Sequence, residues 1–145
     1  MNLTELQKAY LAGFFDGDGC VSIVKSHKPP YGHYHQLAVM FSQSSKPFLE
    51  HWQQITGVGK IYEQRGKSNI AHTRPHYIWR IPSNSGAELL AEIAPYLIIK
   101  RRQAALAAEF QATKRAKGGR LTQAEKANRE RIYEELRALK HTGDL

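Results

Sequence analysis

The chain reads as an α+β domain, ordered α-β-β-α-β-β-α with a helical tail, in which helices cover one face of an antiparallel sheet. Three observations predict it. A first segment with apolar residues at helical spacing runs into Gly17 and Gly19; two pairs of alternating segments flank one short amphipathic stretch; and Thr122 with Glu125 restarts a helix near the end.

Thr4 is placed to cap the first helix, whose apolar face is read as Leu6, Tyr10, Leu11, Phe14 and Phe15. Residues 20–28 alternate as a strand, and Pro29-Pro30-Tyr31-Gly32 make a turn. Residues 34–43 form a second strand. Leu37, Val39 and Phe41 point one way, and Gln36, Ala38, Met40 and Ser42 the other. Lys46-Pro47 opens a helix over 48–55 that Gly57 stops. A third strand over 59–65 and a polar loop lead to a fourth strand over 76–81. There Tyr77, Trp79 and Ile81 share one face, and His76, Ile78 and Arg80 the opposite one. Ser83 or Asn84 caps a helix to Ile93, Pro95 breaks it, and helix resumes over 97–113. After Lys117-Gly118-Gly119, the Thr122–Glu125 capping box starts a last helix to about residue 139. Residues 1–113 are the expected core and 114–145 a helical extension of the same domain.

Lysine and arginine number 21 against 13 aspartate and glutamate, a net charge of +8. A small domain this basic points to a polyanionic partner, nucleic acid being the commonest. The outward sheet face combines Ser, Gln, Lys, Tyr, His and Arg without a carboxylate, which a merely solvated face has no reason to do. Cys20 is alone, so no intramolecular disulfide forms. No apolar run reaches the ~20 residues that span a bilayer. The N-terminus lacks a signal-peptide core. A soluble intracellular protein is expected, in a bacterial cytoplasm or an organelle. His27, His33 and His35 lack zinc-ligand spacing, and no cysteine supports them.

The densest signal is Leu11-Ala12-Gly13-Phe14-Phe15-Asp16-Gly17-Asp18-Gly19. Ala9, Gly13 and Gly17 recur every four residues, so one stripe of the helix is nearly bare and admits another backbone closely. A glycine inside a helix costs about 1 kcal/mol relative to alanine, so Gly13 needs a packing reason. Asp16 and Asp18 sit at the C-terminal end, where a carboxylate opposes the helix dipole by roughly 0.3–1 kcal/mol. Stability does not explain them, whereas a divalent cation does: carboxylate, carbonyl and water are the oxygen ligands Mg²⁺ takes. Glycine on either side of Asp18 removes bulk where a phosphate backbone must come near.

This run resembles the signature of the LAGLIDADG endonucleases. Leu11, Ala12, Gly13, Asp16, Asp18 and Gly19 match its letters. Gly57-Val58-Gly59-Lys60-Ile61-Tyr62 is similar to the family's turn into its third strand, and Ala94-Pro95-Tyr96-Leu97-Ile98-Ile99-Lys100 to the segment that delivers its lysine. The resemblance implies an αββαββα domain with a saddle-shaped antiparallel sheet. It also implies a homodimer, since one motif is present, with Ala9, Gly13 and Gly17 at the interface. The implied activity is that of an intron- or insertion-encoded homing nuclease, making a double-strand break with short 3′ overhangs at a long near-palindromic site in double-stranded DNA. Mg²⁺ is the implied cofactor, with Mn²⁺ able to substitute and Ca²⁺ expected to bind without supporting cleavage; no small-molecule cofactor is expected.

Carried over residue by residue, Asp18 and the Gly17 carbonyl hold metal, Lys100 orders solvent or steadies the transition state, and Gln43 is the polar active-site residue, with Ser45 the other choice. Asp16 is read as structural. Sequence reading falls to Ser22, Val24, Ser26, Lys28, Gln36, Met40, Ser42, Lys60, Tyr62, Gln64, Arg65, His76, Ile78 and Arg80. Arg101 and Arg102 are assigned to phosphates. Two readings compete: a maturase or non-cleaving DNA-binding protein of the same fold, and a basic structural protein that only dimerises. The intact Asp18 argues against the first, and the carboxylate-free sheet face against the second.

Overall fold

The computed structural model describes residues 1–29, 32–65, 74–114 and 120–142. Its elements run α1 (Glu5–Asp18), β1 (Gly19–Lys28), β2 (Gly32–Gln43), α2 (Lys46–Thr56), β3 (Lys60–Gln64), β4 (His76–Ile81), α3 (Ser83–Ile93), a 3₁₀ turn (Ala94–Tyr96), α4 (Arg101–Ala112) and α5 (Gln123–Thr142). The α+β class and its αββαββα order are as the sequence predicts. Residues 30–31 of the expected first turn, the polar loop over 66–73, and 117–119 lie outside the described residues.

Thr4 begins α1 with a reciprocal capping box: its hydroxyl accepts the Gln7 N–H at 3.2 Å and the Gln7 side chain accepts the Thr4 N–H at 2.9 Å. Two orphan donors are satisfied, and the helix enters at a fixed angle. The chain then passes from Asp18 into β1 with no intervening loop, so the last residue of the helix stands at the first residue of the sheet.

The sheet order is β1-β2-β4-β3, antiparallel throughout. Its two hairpins join through β2 and β4. Alternation divides the faces: Val21, Ile23, Leu37, Val39, Phe41, Trp79 and Ile81 are buried under the helices. Phe41 stacks on Trp79 at 5.0 Å between ring centroids and meets Phe15 edge-on at 5.2 Å, which ties the motif helix to the middle of the sheet. Gly86 brings α3 close to β2, because a Cβ there would lie 2.7 Å from the Val39 side chain.

Gly59 precedes β3 instead of opening it. Its φ of +85° is left-handed, and a Cβ would lie 2.4 Å from the Trp79 ring nitrogen, so only glycine serves. The Thr122–Glu125 box forms as read, with bonds of 2.8 and 3.2 Å. Through α5, Ile132 and Leu136 join the core, while Arg129 donates to the Thr113 hydroxyl and carbonyl at the end of α4.

Three expectations are corrected. Leu6 and Tyr10 do not face the core; Leu6 is 85% exposed and Tyr10 packs outside on Trp52. Helical spacing alone cannot say which side of a nearly bare helix the sheet occupies. Neither Ser83 nor Asn84 caps α3: Pro82 holds that position without a side-chain bond, its carbonyl accepting the Gly86 N–H at 2.7 Å. Finally, residues 97–100 are not helical, and α4 starts at Arg101. The backbone there is drawn off by Asp16.

Candidate active site and nucleic-acid interface

The outward sheet face is assembled in cross-strand rows set by the register. Cys20, Met40, Arg80 and Lys60 form one row and Ser42, Ile78 and Tyr62 the next, while Gln64 pairs with His76. Toward the far end of the first hairpin lie Ser22 with Ala38, Val24 with Gln36, and Ser26 with Tyr34. No carboxylate projects from this face among the described residues, since Glu63 alternates to the other side with Ile61. Val24, Gln36, Met40, Lys60, Tyr62 and Arg80 line a concavity of about 480 Å³. The Arg80 guanidinium lies 5.8 Å from the centroid of the Tyr62 ring, which steadies a long side chain before any partner arrives.

Most residues assigned to sequence reading thus share one surface. Lys28 ends β1, and its side chain lies outside what is described. Arg65 lies just past β3, 3.5 Å from Glu63. Cys20, Tyr34 and Ala38 were not singled out, although the same alternation places them on this face. Arg101 and Arg102 are elsewhere, at the start of α4. Arg101 donates to the Leu97 carbonyl at 3.0 Å, and Arg102 pairs with Glu135 of α5. Arg102 is therefore already committed to a protein carboxylate.

Asp18 is exposed at the end of α1, next to the start of the sheet. The Gln43 amide, at the end of β2, donates to its Oδ2 at 3.4 Å. Ser45 is occupied otherwise, accepting the Phe48 N–H at 3.4 Å as the cap of α2. Asp16 points away from Asp18. Its carboxylate accepts the backbone N–H groups of Ile98 at 2.8 Å and Lys100 at 2.9 Å. The Lys100 ammonium donates back to the carbonyls of Phe15, Asp16 and Gly19 at 2.9, 2.9 and 2.7 Å.

The two glycines beside Asp18 differ. A Cβ on Gly17 would meet nothing within 4 Å, whereas one on Gly19 would lie 2.1 Å from the Phe15 ring. Gly19 is thus required by the core. Ala9, Gly13 and Gly17 are exposed on one stripe of α1, and Leu6 lies on the same stripe one turn earlier. Ile98 and Ile99, also exposed, were not singled out by the sequence reading.

A family model for the LAGLIDADG endonucleases matches residues 11–98, more than half of the chain. The chain belongs to the LAGLIDADG endonuclease family. Solved structures of other members show the same fold. The archaeal intron-encoded homing endonuclease I-Vdi141I, complexed with DNA, superposes with a TM-score of 0.76 at 20% identity, over 92% of this chain and 84% of that one. I-CvuI, bound to its target in the presence of calcium, gives 0.72 at 22% identity over 92% and 82%. I-TnaI gives 0.67 at 18% identity over 98% and 97%. Comparison with curated protein sequences gave no match.

A divalent cation fits hard oxygens of the kind this LAGLIDADG chain offers in the Asp18 carboxylate and the Gly17 carbonyl, the carbonyls of Phe15, Asp16 and Gly19 already accepting from Lys100. The set is incomplete, however. No cluster of three or more His, Cys, Asp or Glu side chains exists among the described residues. Nor is any helix among them long and apolar enough to cross a membrane.

Proposed function

We propose that the protein is a site-specific, divalent-metal-dependent endonuclease of double-stranded DNA that acts as a homodimer. The observation that carries this reading is the position of Asp18: an exposed carboxylate beside the Gln43 amide, at the border of a polar sheet face that carries no carboxylate among the described residues. That position supports a reading in which sequence recognition and phosphodiester chemistry adjoin one another. The sheet face would lie in the major groove, with alternate residues of its strands meeting successive base pairs.

Asp18 and the Gly17 carbonyl would hold Mg²⁺, which supplies charge neutralisation at the phosphate and a water of lowered pKa. The Gln43 amide orients the Asp18 carboxylate and is placed to orient solvent. A single chain contributes one such carboxylate, and a second copy approaching along Ala9, Gly13 and Gly17 would bring its own Asp18 to complete the set. Two-fold symmetry makes a near-palindromic target the geometric expectation, and family membership supports a staggered cut with 3′ overhangs.

The test is cleavage of a randomised double-stranded DNA library in Mg²⁺, with Ca²⁺ and the Asp18→Asn variant as controls. A long, roughly palindromic site cut in Mg²⁺ only by the unmodified protein is the expected result. Sequence-selective binding with no cutting would instead make it a maturase or a DNA-binding protein of this fold.

A further inference from the structure

Part of the first hairpin stands outside the four-stranded sheet. β2 pairs with β4 through residues 39–43, whereas it pairs with β1 from Gly32 to Phe41. Residues 22–28 and 32–38 therefore form a ribbon of two strands, and no third strand lies beside it among the described residues. Such a ribbon is marginal on its own and twists more strongly than a wide sheet. Val24, Ser26 and Gln36, all assigned to sequence reading, lie on its outward face.

α5 backs this ribbon. Ile23 and Leu37 join the core beneath its base. Further out is the cross-strand pair of Lys25 and His35. There Glu130 accepts from the Lys25 ammonium at 2.6 Å and stands 3.4 Å from His35 Nε2, so one carboxylate meets both strands. The same ammonium lies 4.1 Å from the centre of the Tyr133 ring. α5 then runs beside β1 toward the proposed active site, where the Lys140 ammonium is 3.4 Å from Cys20 Sγ. The spans agree: a helix rises about 15 Å from residue 130 to 140, and a strand about 17 Å from residue 20 to 25. α5 is also fastened to α4. Arg129 donates to the Thr113 hydroxyl and carbonyl, Arg131 pairs with Glu109, and Arg102 with Glu135.

We propose that α5 is a strut that sets the angle of the ribbon, with Glu130 and Tyr133 as the residues that position Val24, Ser26 and Gln36 for base recognition. Asp18 adjoins the start of β1 and the ribbon lies toward its far end, so these side chains would meet base pairs remote from the cut, in the outer part of each half-site. The role in recognition rests on the DNA reading above; the bracing of the ribbon does not. An exposed ion pair and a cation–π contact contribute little to global stability, yet each shifts an equilibrium by about 2- to 5-fold, which is enough to favour one angle of a narrow ribbon.

The experiment compares Glu130→Gln, Tyr133→Leu, their double variant and Tyr133→Phe in the full chain. Hydrogen exchange is followed at the amides of residues 24–26 and 34–36, with 39–43 as the reference in the four-stranded part. Base preference is read position by position, by selecting bound sites from a randomised double-stranded DNA library in Ca²⁺. Glu130→Gln and Tyr133→Leu should each quicken exchange in the ribbon by about 2- to 5-fold and leave 39–43 unmoved. Preference at the outer positions should fall by a similar factor while the central positions keep theirs. Tyr133→Phe, which keeps the ring, should match the unmodified protein. Glu130→Gln preserves volume at a partly exposed site and decides the matter if Tyr133→Leu fails to fold. Unmoved exchange in the ribbon would overturn the strut, and so would a loss of preference spread evenly over the site, which charge alone would produce. Exchange is read without DNA, so an unmodified chain that selects no sequence would sink the DNA reading while exchange still judged the bracing.

Discussion

At the scale of single residues, the motif divides into groups that serve the fold and groups that the fold leaves over. Phe15 and Leu11 are fully buried, Asp16 is bonded to backbone, and Gly19 is pressed against the Phe15 ring. Gly17 and Asp18 have no comparable structural duty. This separation has a measurable consequence. Gly19→Ala drives a Cβ into a ring that is itself closely packed and cannot swing away, and overpacking of this kind costs about 1–3 kcal/mol. Gly17→Ala meets no atom and gains helix propensity, worth up to about 1 kcal/mol. Urea denaturation at concentrations that keep the subunits apart should therefore show Gly19→Ala with a lowered midpoint and Gly17→Ala with an unchanged or raised one. Equal destabilisation by the two would mean that Gly17 also serves the core.

At the scale of elements, legibility followed periodicity. The strands and their two faces could be read because alternation is rigid: Leu37, Val39 and Phe41 turned inward and Gln36, Met40 and Ser42 outward as spacing demands. Gly57, at a φ of +70°, ended α2 as a left-handed cap does. What was not legible depended on partners distant in the chain. Nothing in the spacing said that β2 would lay Gln43, and not Ser45, beside Asp18, and residues 97–100 looked helical until Asp16 took the Ile98 and Lys100 N–H groups. The attachment of α5 is likewise long-range. The Glu130 carboxylate accepts from Lys25 of β1 at 2.6 Å, and His35 Nε2 lies 3.4 Å from its other oxygen.

The bond from Lys25, with the Coulombic attraction behind it, holds Glu130 below its ordinary value of 4.5 and Lys25 above its ordinary 10.5. A lowered carboxylate stabilises the fold fully above its unfolded value and loses that contribution as pH falls through the folded one. A raised lysine contributes below 10.5 and loses it on further rise. The gap in urea midpoint between unmodified protein and Glu130→Gln should then be flat from about pH 5 to 10 and close on either side. A gap that ignores pH would show that the Lys25–Glu130 pair contributes nothing to the attachment of α5.

At the scale of the whole molecule, charge and shape are sorted by face. Carboxylates gather on the helices, as Glu88 and Glu92 of α3, Glu109 of α4 and Glu130, Glu134 and Glu135 of α5 do, while among the described residues no carboxylate shares the sheet face with Lys60, Arg80 and the amides. The third surface, the exposed stripe of α1, carries little charge and little bulk. It makes no sense as a DNA surface, but it suits close contact with a second copy. Gly13 provides the test, because a Cβ there meets nothing within 4 Å in the isolated chain. Gly13→Leu should therefore leave the single subunit folded, and on helix propensity alone about 1 kcal/mol more stable. In a dimer the same side chain would wedge the two helices apart and separate the two Asp18 carboxylates. Sedimentation should show the unmodified chain as a dimer and Gly13→Leu as a folded monomer that binds DNA weakly and does not cut it. A Gly13→Leu protein that remained dimeric and active would move the interface off α1 and leave the bare stripe without a purpose.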